Sequence, residues 1–77
     1  MRIKLNDVKR VVISEDFIKL GALLKLAEIT SSGGEAKSII QNGMVYVSGE
    51  PCTMRGKKIK PGDIIRVDRR TILVVRE

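Results

Sequence analysis

The stretch that decides the fold is Ser32-Gly33-Gly34-Glu35-Ala36-Lys37-Ser38-Ile39-Ile40-Gln41-Asn42-Gly43-Met44-Val45-Tyr46-Val47-Ser48-Gly49. Its apolar period changes once. Ala36, Ile39 and Ile40 recur three and four residues apart, as on one face of a helix, whereas Val45 and Val47 alternate with Met44, Tyr46 and Ser48 as in a strand. Ser32 followed three residues later by Glu35 is a capping box, which satisfies amides that a helix start leaves without partners. Gly43 suits the left-handed residue that ends a helix. The reading is a helix of about three turns followed by a strand. A helix that short is marginal alone, so it must pack on another helix and a sheet.

Upstream, Phe17, Leu20, Leu24 and Ala27 fall at helical spacing, with Ile18, Ala22, Leu23 and Leu26 widening the buried stripe. Ser14, Glu15 and Asp16 offer cap oxygens and negative charge to the start of this first helix, and Phe17 is assigned to the core. Gly21 inside it costs roughly 1 kcal/mol against Ala, which points to a backbone packed closely there. Val8 to Ile13 are rich in β-branched residues and read as a strand. The alternation of residues 2 to 6, with Ile3 and Leu5 on one side, either extends that strand or frays.

Downstream, Gly49, Glu50 and Pro51 turn the chain, and Pro61-Gly62-Asp63 has the chemistry of a type II turn. Ile64 to Val67 form a strand, Asp68 to Arg70 a loop, and Thr71 to Val75 a last strand suited to pair with the one near Val11. The fold class is therefore α+β: two short packed helices followed by, and packed on, a small mostly antiparallel sheet of about four to five strands.

Seventy-seven residues suffice for one domain, residues 1–77, with a thin core. The chain carries 15 Lys and Arg against 9 Asp and Glu, a net charge of +6, which suits either a polyanionic partner or a merely soluble basic protein. His is absent and Cys52 is the single cysteine, so the usual nucleophile and base pairings are missing, and no disulfide or thiolate cluster forms within one chain. Cys52 reads as a buried thiol, and the lone cysteine fits a reducing, cytoplasmic setting. No secretory signal and no membrane-spanning run stands out, and the first helix has too few cations for a membrane-surface helix. Neither enzyme activity, a metal nor a cofactor is expected.

Arg55, Lys57, Lys58 and Lys60 surround Gly56, a run that is either a solvated loop or a phosphate grip. Gly33 and Gly34 open the second helix, where they serve either as a flexible turn or as bare amides for an anion. Lys37 and Gln41 lie on an exposed face of that helix.

The order and spacing of these elements over residues 17–67 resemble the S-four RNA-binding domain, or αL motif, named after a small-subunit ribosomal protein. Lys19 matches the family's basic position, Leu20 and Leu24 its apolar ones, Ser32 its cap and Ala36 its Ala, followed by Gly43-Met44-Val45-Tyr46-Val47-Ser48-Gly49 and Pro61-Gly62-Asp63. Gly21 stands where the family usually has Asp, Gly33 where it usually has an RNA-contacting Arg, and Ser48 where it usually has Asn. The versions in short stand-alone bacterial members are the better match, through Ser32 to Lys37 and Arg55 to Lys58. The resemblance implies binding of structured RNA, with ribosomal RNA on the ribosome or its precursors as the target and a monomer acting by binding alone. The expected contacts are Lys19, Lys25, Ser32, Gly33, Gly34, Lys37, Gln41, Arg55, Lys57 and Lys58. The competing reading is a protein-interaction module resembling the β-grasp carriers, which share the Val-x-Val-x-Gly strand but end in Gly-Gly, unlike Val75-Arg76-Glu77.

Overall fold

The computed structural model describes residues 7–77, so the alternating residues 2 to 6 lie outside the described residues. The chain runs β1 (Asp7–Ile13), β2 (Ile18–Lys19), α1 (Leu20–Leu26), α2 (Gly33–Gln41), β3 (Val45–Val47), β4 (Glu50–Pro51), β5 (Lys58–Ile59), β6 (Ile64–Val67) and β7 (Arg70–Arg76). A five-stranded sheet has the order β1-β7-β6-β3-β4, and β2 and β5 form a separate two-stranded ladder. Every pairing is antiparallel except that of β1 with β7, which run parallel with Val11 opposite Val74. The last strand thus pairs with the strand near Val11, as the sequence suggested, and leaves β1 at one edge.

Strand alternation puts Val11, Val45, Val47, Ile65, Val67, Ile72 and Val74 on the face that meets the helices. Leu20, Leu23, Leu24 and Ala27 of the first helical segment, and Ala36 and Ile40 of α2, close the core from the other side. Both helices end the same way. At α2, Gly43 takes a left-handed φ of 75°, and the amides of Gly43 and Met44 donate to the carbonyls of Ile40 and Ile39. At α1, Glu28 takes φ 62°, and the amides of Glu28 and Ile29 donate to Lys25 and Leu24.

The first helix begins later than its sequence suggests. Ser14 to Asp16 form a bend and cap nothing; the Asp16 carboxylate instead pairs with Arg76 at 2.9 Å. Ile18 and Lys19 lie in β2, opposite Ile59 and Lys58, because pairing beside the buried Ile59 outweighs a local cap. With the start shifted, Ala22 and Leu26 face solvent, and Phe17 is 38% exposed beneath Lys58 rather than in the core.

The turns also differ in detail. Ser48 and Gly49, at φ 51° and 90°, form a two-residue hairpin turn, and Glu50 and Pro51 pair back onto β3 instead of turning the chain. Gly62, at φ 99°, completes the type II turn, in which the Asp63 amide donates to the Lys60 carbonyl. Arg70 belongs to β7, leaving Asp68 and Arg69 as the hairpin loop.

Candidate nucleic-acid interface

The basic loop is anchored on the start of α1. No side chain caps that helix; instead the amides of Leu20 and Gly21 donate to the carbonyls of Lys57 (2.9 Å) and Arg55 (3.0 Å). The loop backbone therefore satisfies two amides that the helix leaves open, and it lies against Gly21. A Cβ at position 21 would sit 2.8 Å from Arg55 Cγ, so the close approach expected there is a loop backbone and an arginine stem crossing the helix. This crossing carries Arg55 to the junction of the two helices.

There Lys19, Lys25, Gly33 and Arg55 border a shallow cleft of about 410 Å³, with Gly21, Ala22, Ala36 and Gly56 also lining it. Ala22 and Ala36 are small enough to leave it open. Ser32 caps α2 beside the cleft by accepting from the Glu35 amide at 3.1 Å. Glu35 completes the cap differently from a standard capping box, accepting from the amide (2.7 Å) and hydroxyl (3.2 Å) of Ser31 rather than from Ser32. The Ser32 oxygens engage the amides of Glu35 and Ala36, so the first two amides of α2, at Gly33 and Gly34, have no acceptor within the helix. Apart from its chain neighbours and the backbone of its own helix, nothing lies within 4 Å of a Cβ built on Gly33, so an anion has room to approach.

Lys37 and Gln41 follow Gly33 at intervals of four on α2, and so continue one exposed stripe away from the cleft. Lys57 and Lys58 are placed elsewhere. With Lys60, Ser48, Thr53 and Asp63 they line a second concavity of about 640 Å³, and Lys58 Nζ lies 4.8 Å from the centre of the Phe17 ring. The basic run is thus divided, Arg55 facing the helical cleft and its lysines facing the second concavity. Neither Thr53 nor Ala22 is legible as a site residue from sequence. Ala22 is hidden by the assumed helix phase, and Thr53 carries no signal beyond its closeness to the basic run.

The ion pairs among the described residues, Lys9 with Glu28 (3.5 Å) and Arg76 with Asp16, use none of these cations. Two nearby carboxylates are engaged by the backbone, Glu35 as above and Asp63 by the Lys60 amide at 2.8 Å. Among the described residues no cluster of His, Cys, Asp and Glu is arranged to hold a metal, and no helix is long and apolar enough to cross a membrane. The arrangement offers exposed cations, bare amides and small residues, which is chemistry for gripping a phosphate backbone.

The family model described as the S4 domain matches residues 11–75, wider than the 17–67 motif because it takes in the end of β1 and most of β7. A protein of Bacillus subtilis (strain 168), named probable ribosome maturation protein RlbA, is 38% identical over 58 residues, covering 75% of this chain and 82% of the relative.

Proposed function

The chain belongs to the S4 domain family, and from that premise we propose that it binds structured RNA, specifically ribosomal RNA in the ribosome or its precursors. It acts as a monomeric module of residues 1–77 by binding alone, without catalysis, metal or cofactor, in the cytoplasm where ribosomes are made. The observation that carries this reading is the convergence of Lys19, Lys25 and Arg55, none of them ion-paired among the described residues, on one cleft beside the open amides of α2. The name of the Bacillus subtilis relative supports the ribosomal setting.

Lys19, Lys25 and Arg55 hold phosphates across the cleft, Gly33 and Gly34 donate their amides to one, and Lys37 and Gln41 extend the track along α2. Ser32 keeps the helix start in place. Lys57 and Lys58 meet a second stretch of backbone from the other side of the loop. Shape and phosphate reading suit this surface better than base stacking: Tyr46, the ring suited to stacking, lies on the sheet face turned away from the helices. Contact with six phosphates by the cationic side chains gives a log-log salt slope of about −4 to −5. The β-grasp alternative has no support in the element order, since both helices precede β3.

Sedimentation of the tagged protein in cell lysate through sucrose gradients, at low and high salt, tests the proposal. Migration with ribosomal particles is expected, abolished by salt or ribonuclease and absent in the Lys19→Ala/Lys25→Ala/Arg55→Ala variant. Migration as a free small protein at every salt concentration would refute it.

A further inference from the structure

Among the described residues, the sheet face turned away from the helices is uncovered and largely apolar. Register places Val8, Thr71, Arg66, Tyr46 and Pro51 in one row across the strands. Arg10, Leu73 and Ile64 form the next row, and Val12 lies beside Val75 in a third. Val8, Val12, Tyr46 and Ile64 are between 43% and 63% exposed, so the described residues leave them largely open. At one end Met44, Tyr46, Ile64 and Arg66 line a concavity of about 730 Å³, with Asp68 also on its lining. These rows cover on the order of 300–400 Å² from strand spacing and rise. Patches of that size on a monomer are often functional.

We propose that this face docks a protein partner presenting aliphatic side chains flanked by carboxylates. Aliphatic burial supplies the attraction. Arg10 and Arg66 supply the selectivity: they stand inside the apolar field, no carboxylate falls in these rows, and neither is held by an ion pair among the described residues. A second copy is disfavoured, because two-fold contact through this face would bury Arg10 and Arg66 of both copies against the Asp68 carboxylates at one end of it, leaving guanidinium charge in excess. RNA is disfavoured, because a face of valine, leucine and isoleucine with one ring offers few stacking platforms. The area is below the ~800 Å² per partner of a standard interface, so the contact is a transient one. The face lies opposite the helical layer, so such a partner and RNA can be held together; the inference stands whether or not the cleft binds RNA.

The test is a nuclear magnetic resonance titration of the full ¹⁵N-labelled chain with three probes: a twelve-residue peptide alternating valine with glutamate, its lysine counterpart, and a twelve-nucleotide oligouridylate. The acidic peptide should move the amides of Val8, Arg10, Tyr46, Ile64 and Leu73 saturably, and the lysine peptide should not. In the Arg10→Glu/Arg66→Glu variant the acidic peptide should bind at least tenfold more weakly and the lysine peptide should gain. Ile64→Ser, which leaves both arginines, should weaken the acidic peptide severalfold while the spectrum stays folded. The proposal is overturned if neither peptide moves these amides, if oligouridylate moves them instead, or if they shift with protein concentration alone.

Discussion

Gly21→Ala is expected to weaken RNA binding although residue 21 itself offers nothing to RNA. The added Cβ would lie 2.8 Å from Arg55 Cγ, where carbons in contact sit about 3.5–4.0 Å apart, so the arginine stem must move by roughly 0.7 Å or more. Cγ is close to the backbone, and its carbonyl is fixed by the Gly21 amide, so the stem yields by rotating and takes the guanidinium out of the cleft. Losing one charge-assisted phosphate contact costs about 1.5 kcal/mol, roughly tenfold in affinity. Arg55→Ala should show that full loss with a salt slope shallower by about 0.7–0.9, and Gly21→Ala a loss of about three- to tenfold. The decisive measurement is the double variant, by fluorescence anisotropy on ribosomal RNA across a salt series. The alanine that replaces Arg55 has no Cγ, so Gly21→Ala should then leave affinity unchanged, while thermal unfolding gains the ~0.5–1 kcal/mol by which Ala outdoes Gly in a helix. Equal weakening by Gly21→Ala with and without Arg55 would show that the glycine acts by another route and refute the reasoning.

Three further outcomes follow from the same geometry. Lys57→Ala/Lys58→Ala should flatten the salt slope by about 1.4–1.8 if RNA runs past both sides of the basic loop; an unchanged slope would confine RNA to the helical cleft. Glu28→Gly should raise stability by about 0.5–1 kcal/mol, because Glu28 holds φ 62° and its exposed pair with Lys9 is worth little; thermal melting shows this as a rise of several degrees, and a fall would mean the pair matters more than the backbone. Thr30→Val should be neutral to mildly stabilising in denaturant unfolding, since the buried Thr30 hydroxyl has no partner among the described residues; a loss of about 1 kcal/mol or more would reveal a hydrogen bond the hydroxyl does make.

The elements most legible in the sequence are those whose signals are local. Ser32, Gly43 and the period change between Ile40 and Val45 mark the second helix and its strand, and each sits where its chemistry requires. Gly62 does the same for its turn. The start of the first helix is obscured because two locally sound signals point the wrong way. Ser14 to Asp16 look like a cap, and Phe17 and Ile18 extend the helical period, but Ile18 gains more by pairing with Ile59, some forty residues away in sequence. Nothing near Ile18 encodes that pairing. The other helix end is hidden for a different reason: Glu28 does at α1 what Gly43 does at α2, and a glutamate gives no notice of a left-handed backbone.

The candidate site is legible as a set of residue types but not as a place. Lys19, Lys25, Gly33 and Arg55 come from three separate segments, and their convergence depends on the carbonyls of Arg55 and Lys57 closing the start of α1. That contact also explains how a basic run can be divided. Once the backbone of residues 55–57 is tied to the helix, Arg55 projects over Gly21 toward α2, while Lys58 is committed to the β5 ladder and the ring of Phe17. Charge counting treats Arg55, Lys57 and Lys58 as one patch, but the hydrogen bonds make them two walls of a wedge. A glycine at position 21 is what allows the wedge to seat, so the residue that departs from the family's usual Asp is coupled to the arginine that reaches the cleft. On this view Arg55 also supplies, from the loop, a cation to the cleft at whose rim Gly33 stands in place of the family's arginine, and restoring that charge with Gly33→Arg should recover much of the affinity lost in Arg55→Ala. If Gly33→Arg failed to do so while the protein stayed folded, the two positions would not serve the same phosphate.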